Sequence, residues 1–154
     1  MSEENKYILE VNDLHTSFFT DAGEVQAVNG ISFRLEPGKT LGIVGESGSG
    51  KSVTAYSIMQ ILAETGKITA GEVKFHGEDI TKWDGKQMQK FRGKEISMVF
   101  QDTLSTLNPV IPVGKQIGEA IRLSSPGMKK KAVEERVAEL MEMVGIEEPE
   151  SRWK

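Results

Sequence analysis

LGIVGESGSGKSVT, residues 41–54, is the stretch on which the reading of this chain turns. Leu41 to Val44 is a short apolar run, which predicts a buried strand. Glycines then break the pattern, and beyond them Val53, Tyr56, Ile58, Met59, Ile61 and Leu62 predict an apolar helix ending near Gly66. Between strand and helix, Gly45, Glu46, Ser47, Gly48, Ser49, Gly50, Lys51 and Ser52 fit the pattern G-x-x-x-x-G-K-[ST]. Glycines allow backbone angles and close approaches that a Cβ would block, so successive N–H groups can turn inward and cradle phosphate oxygens. The helix starting near Lys51 adds the positive end of its dipole at the same point. Lys51 brings a compact charge to the β- and γ-phosphates of a nucleotide, and the Ser52 hydroxyl is suited to Mg²⁺. The bland alternative is a glycine-rich strand-to-helix turn with no ligand; the strand before and the helix after favour the phosphate binder.

Composition bounds what such a loop could serve. The chain has 154 residues, enough for one ordinary domain with a real core, and is 38% hydrophobic and 27% charged. Its net charge of −4 argues against nucleic acid as a partner, because binding a phosphate backbone takes a basic surface. With no cysteine there is neither a disulfide nor a thiolate metal site. The acidic, polar start MSEENKYILE lacks the profile of a secretory signal, and no run approaches the apolar length of a membrane span. A membrane location is therefore expected only through a partner.

Outward from the loop, the first 37 residues read as an antiparallel ribbon. Tyr7, Leu9 and Val11 alternate with polar neighbours, as do Val25, Ala27, Ile31, Phe33 and Leu35 with one phase break; turns are predicted at Asp21–Gly23 and Pro37–Gly38. Residues 71–80 read as a strand, 84–92 as a short polar helix, and Ile96 to Phe100 as a second buried strand. Residues 101–112 read as a loop, and helices are predicted over 114–123 and 128–144, the last stopped by Gly145. Two strand-to-helix units behind a β-ribbon make an α/β protein. Lys129 to Lys131, followed by Glu134 and Glu135, read as a solvated helix face rather than a contact patch. Tyr56 and Trp83 are assigned to packing. His15 and His76, with no partner at ligand or triad spacing, are assigned structural roles.

A glutamine, Gln101, follows the second apolar run in ISMVFQDTLSTLNP, residues 96–109. Its amide can offer oxygen to Mg²⁺ or orient a water, and the polar loop behind it can move with the γ-phosphate. Taken with the phosphate loop, this resembles the ATP-binding subunit of an ABC transporter. The segments AVNGISFRLEPGKTLGIVGESGSGKSVTA and ISMVFQDTLSTLNP are similar to the peptide-importer branch (oligopeptide or dipeptide, in some cases nickel), over nearly the whole chain. One departure is Thr103, where that branch carries proline, which implies a less rigid loop.

The resemblance implies a phosphate-loop ATPase fold with an antiparallel β-subdomain. Residues 1–39 and 68–80 would form the β-subdomain, 40–67 and 94–113 the nucleotide-binding core, and 114–154 the start of a helical subdomain. It also implies that Phe18 or Phe19 stacks on adenine, Phe19 being preferred, against the alternative that both are core aromatics. Ser52 and Gln101 would be the Mg²⁺ ligands of bound ATP. Partners implied are a second ATP-binding subunit in a head-to-tail dimer, two permease subunits and, indirectly, a peptide-binding protein, at the cytoplasmic face of the membrane. Such cassettes hydrolyse ATP with an L-S-G-G-Q-type signature segment, an Asp on a Mg²⁺ strand, a catalytic Glu and a switch His. None of these is found in the sequence, so the chain is expected to be truncated before the signature and Walker B segments, holding about half a cassette and no catalytic residue. The alternatives are a soluble ABC-type ATPase of DNA repair or translation, and a remnant without function.

Overall fold

The computed structural model describes residues 6–101 and 106–146, in two compact units, Met1–Arg92 and Gly93–Lys154. In the first unit, β1 (Leu9–Thr20) and β2 (Gly23–Leu35) form a hairpin across the predicted turn. β1 also pairs antiparallel with β3 (Gly66–Phe75), which pairs with the two-residue β4 (Glu78–Asp79), giving the order β2-β1-β3-β4. Val11, Leu14, Val28 and Val73 supply the buried face. The strand pairing slips beside Asp13, which takes a left-handed φ of 48°, and the slip moves Leu14 to the face that Val11 occupies. The phase break expected in β2 falls at Gly30, φ 74°, between buried Val28 and half-buried Ile31. The same irregularity gives His15 a partner that its sequence spacing did not reveal: its Nε2 lies 3.2 Å from Asp13 Oδ1.

Helix α1 (Lys51–Met59) packs on this sheet through Ile58 and Met59. It stops earlier than the expected end near Gly66, because Gln60 turns left-handed (φ 49°) and its N–H bonds back to the helix. A 3₁₀ turn, Ile80–Lys82, and α2 (Gly85–Phe91) complete the unit. Asp84 and Gln87 form a reciprocal capping box at the start of α2, and Met88 and Phe91 anchor it. Phe91 meets Phe75 and Trp83 edge-on, so Trp83 packs as expected; His76 stands edge-on to Phe75.

Asp79 caps the 3₁₀ turn, accepting from the Thr81 N–H (3.1 Å) and hydroxyl (2.6 Å) and pairing with Lys82 (2.8 Å). Burial pushes its carboxyl up, but the bonds from Lys82 and Thr81 together outweigh burial and hold it below its ordinary value. The folded state therefore takes up that proton less readily than the unfolded chain. The stability this contributes is complete above the unfolded value near pH 4 and is lost as pH falls through the lowered folded value. Asp79→Asn removes the charge that pairs with Lys82 and is expected to cost about 1 kcal/mol at pH 7, the difference from wild type shrinking as pH falls below about 4, as thermal melts across that range would read.

In the second unit, α3 (Val113–Ser124) and α4 (Lys130–Met143) form a helical pair. Val133, Val137 and Met141 of α4 are buried against Val113, Ile117 and Ile121 of α3, two stripes at four-residue spacing. Gly145, φ 76°, closes α4 as its sequence position implied, with the Ile146 N–H bonded to the Met141 carbonyl (2.9 Å). Lys130 and Lys131 are exposed and lie 3.8 Å from Glu134 and Glu135, the solvated face expected.

Two expectations are corrected. Leu41 to Val44 and Ile96 to Phe100 are not buried strands: neither run joins the sheet, Ile96 makes only an isolated bridge, Val44 is 96% exposed and Val99 is 88% exposed. An apolar run becomes a strand only when a neighbour takes its N–H and C=O groups. Among the described residues, all the sheet pairing is made by β1 to β4. Thr103 and residues 147–154 lie outside the described residues. Among the described residues, no helix is long and apolar enough to cross a membrane.

Candidate nucleotide-phosphate site

The glycine loop forms in the first unit, immediately ahead of α1. Gly50 is the residue before the helix, left-handed at φ 87°, and Gly48 is also left-handed at φ 82°. A Cβ on Gly50 would overlap the Ala27 carbonyl oxygen of β2, so only glycine lets the helix start this close to the sheet. A Cβ on Gly45 would lie 2.7 Å from Ser49 Oγ, so that glycine lets the loop close on itself. The Ser49 N–H bonds to the Glu46 carbonyl (3.2 Å) across this turn.

Lys51 gathers the loop. Its ammonium donates to the carbonyls of Gly45 (2.7 Å) and Glu46 (2.6 Å) and lies 3.3 Å from Ser49 Oγ. The first helical turn has no side-chain cap and no acidic residue. As at any helix start, the N–H groups of Lys51, Ser52 and Val53 have no intrahelical acceptor. Three N–H donors without an intrahelical acceptor, a dipole end and one ammonium make a place for an anionic oxygen. Ser52 is exposed in that turn, its hydroxyl available to a cation held by the anion.

The other expected residues stand elsewhere. Phe19, at the hairpin end of β1, is 44% exposed, with its ring 5.9 Å from Lys67 Nζ. Phe18 is half-buried and pressed against Gly66, where a Cβ would lie 2.8 Å from its ring. Of the two, Phe19 is the ring with an open surface. Gln101 belongs to the second unit and is exposed. Among the described residues, no group of three or more His, Cys, Asp or Glu could hold a metal, so a cation here would depend on hydroxyl, amide and phosphate oxygens.

Sequence reading missed the residues that hold α1. Buried Thr16 of β1 shares a 2.8 Å hydroxyl contact with Ser57, which donates to the Val53 carbonyl (2.7 Å). Thr54 donates its hydroxyl to the Gly50 carbonyl (3.0 Å). Arg92 donates Nε to the Met59 carbonyl (2.7 Å) and Nη2 to the Gln60 carbonyl (2.6 Å). The hydroxyl residues stood in the sequence as polar positions on otherwise apolar faces, a signal for a buried pair. Arg92, more than thirty residues from its carbonyl partners, left none. In the second unit, Gln116 braces the 106–112 segment: it accepts from the Asn108 N–H (2.9 Å) and donates to the carbonyls of Asn108 (3.0 Å) and Ile111 (2.7 Å). Val110, 85% exposed, sits on that braced turn.

A glycine loop closed by a lysine ahead of an uncapped helix defines the class of phosphate-loop proteins. The comparisons narrow it. Residues 28–154 match the ABC transporter family model. The chain belongs to the ABC transporter family. It is 49% identical over 146 residues to the oligopeptide transport ATP-binding protein OppD of Bacillus subtilis (strain 168), covering 94% of this chain and 40% of that protein. It is 46% identical over 150 residues to the dipeptide transport ATP-binding protein DppD of Lactococcus lactis subsp. cremoris (strain MG1363), covering 97% and 42% respectively. The chain thus spans about two fifths of the length of these curated relatives. Its fold is similar to that of an ATP-binding cassette solved as a dimer in a post-hydrolysis state with ADP and Pi. That match has a TM-score of 0.73 at 21% identity, over 91% of this chain and 58% of that one.

Proposed function

We propose that this chain is the nucleotide-binding N-terminal portion of an ATP-binding subunit that drives peptide import. The observation that carries the reading is the loop itself: Lys51 held at its centre, glycines where side chains would collide, and an uncapped helix start behind it. These residues fit a nucleotide's phosphates and an accompanying Mg²⁺. Gly45 to Ser52 would bind the β- and γ-phosphates, Lys51 by charge and the backbone by N–H donors. Ser52, and Gln101 through its amide, would be the protein's Mg²⁺ ligands, and the open ring of Phe19 would stack on adenine. Bound MgATP would supply the phosphoanhydride whose hydrolysis powers transport.

Two of the relatives are named for oligopeptide and dipeptide transport, which supports the substrate class. On that reading the partners are a second ATP-binding subunit, two permease subunits and, through them, a peptide-binding protein, with the chain at the cytoplasmic face of the membrane. Nucleic acid is no partner, in keeping with the net charge of −4. The division into a β-subdomain (1–39 and 68–80), a nucleotide-binding core (40–67 and 94–113) and a helical subdomain beginning at 114 belongs to the same proposal. Residues 102–112 would meet the permease. Their described part is stiffened by Gln116 and offers Leu107, Val110 and Ile111 as an apolar contact.

The test is titration calorimetry with MgATP on the 154-residue chain and its Lys51→Ala variant. Removing the ammonium is expected to take away a charge-assisted contact of about 1.5–3 kcal/mol, weakening binding at least tenfold. Equal affinity in the two proteins would overturn the assignment. Uptake of a labelled oligopeptide by cells whose gene carries the same substitution reads the transport half of the proposal.

A further inference from the structure

Of the three points that hold α1, the one furthest from the loop is the one least explained by packing. The front is held where Gly50 meets the Ala27 carbonyl, and the middle by the buried Thr16–Ser57 pair. The rear end carries a problem of its own. Gln60 is left-handed without being glycine, and α1 has no basic residue in its last turn to meet the negative end of its dipole. Local bonds satisfy only part of that end: the Gln60 N–H bonds to the Ser57 carbonyl and the Ile61 N–H to that of Tyr56. The carbonyls of Met59 and Gln60 are taken by Arg92, whose half-buried guanidinium spans both. The Gln60 side chain in turn donates to the Ile80 carbonyl (2.5 Å).

Arg92 is itself well held. Its N–H bonds to the Met88 carbonyl at the end of α2, and Met88 and Phe91 beside it are buried. The guanidinium therefore reaches α1 from a fixed base, and its planar fork suits two neighbouring carbonyls. α1 is nine residues, about 13 Å long, and a continuous helix. A shift at its rear end is carried to Lys51 and to the N–H groups at its front.

We propose that Arg92 is a positioning residue for the nucleotide site, acting through α1: it fixes the C-terminal end of the helix whose N-terminal end holds the phosphates. The inference rests on the nucleotide reading of the loop. Its experiment is MgATP titration of the wild-type chain, Arg92→Gln and Arg92→Lys, well below their melting temperatures, with amide hydrogen exchange over residues 51–54. Arg92→Gln is expected to bind about tenfold more weakly and to exchange faster at 51–54. Arg92→Lys keeps the charge but not the fork, and is expected to fall between the two. A purely stabilising cap would lower the melting temperature of both variants and leave the affinity of the folded protein unchanged, and that result overturns the inference. Should Arg92→Gln not fold, Arg92→Lys decides: affinity and exchange equal to wild type overturn it. Failure of the wild-type chain to bind MgATP overturns the nucleotide reading instead. Binding by wild type with unchanged affinity in the Arg92 variants overturns the positioning role alone.

Discussion

Gly50→Val is expected to abolish MgATP binding, weakening it by about a hundredfold or more, while leaving most of the sheet intact. Two effects add. The φ of 87° at Gly50 is one that a β-branched residue adopts only with strain, and its Cβ would run into the Ala27 carbonyl oxygen of β2. The obstacle is backbone in a paired strand, so it cannot swing aside as a side chain could. The helix start must lift away instead, taking with it Lys51 and the donors of the first turn. Lys51→Ala removes charge from a loop of unchanged shape, whereas Gly50→Val moves the loop while the charge remains. Calorimetry of Gly50→Val, with circular dichroism to confirm that strands persist, reads the difference. Affinity within threefold of wild type would show that the close approach of α1 to β2 is dispensable.

Gly71→Ala is expected to be the most destabilising small substitution in the sheet. Gly71, φ 87°, lies in β3 opposite the irregularity in β1, and a Cβ there would overlap the Asp13 carbonyl and lie 2.7 Å from the Asn12 carbonyl oxygen. The left-handed backbone alone costs an alanine about 1 kcal/mol. Parting two central strands at the point where Asp13 is already left-handed adds more. Together the cost is roughly 3 kcal/mol, or a melting temperature lower by roughly 10 °C for a chain of this size. Gly38→Ala is the matched control, since Gly38 also has a left-handed φ, 71°, but a Cβ there meets nothing within 4 Å. It should show the backbone cost alone. Equal melting shifts in the two variants would remove the strand contact from the account.

Features that depend on neighbours along the chain are legible before it folds. The spacing of Gly45, Gly50, Lys51 and Ser52 specifies the loop because its hydrogen bonds close within eight residues. Gly145 marks the end of α4 because a cap is local chemistry; the Asp84–Gln87 capping box that starts α2 is equally local, though the polar run 84–92 reads as a helix without it. The alternation in β1 and β2 predicts the hairpin with one phase break in β2, since a two-residue period shows which face is buried; that the break falls at Gly30 comes from the fold. The remaining features depend on segments that folding brings together. Leu41 to Val44 reads as a strand by composition, yet strand pairing is made by other segments, and among the described residues none runs beside it. The Asp13–His15 contact, the early end of α1 at Gln60 and the grip of Arg92 on that end each depend on partners that local periodicity does not encode. A short motif can specify what a helix start binds. Where that helix start sits is set by the β2 carbonyl in front of it and the guanidinium behind, and those partners meet only when the chain has folded.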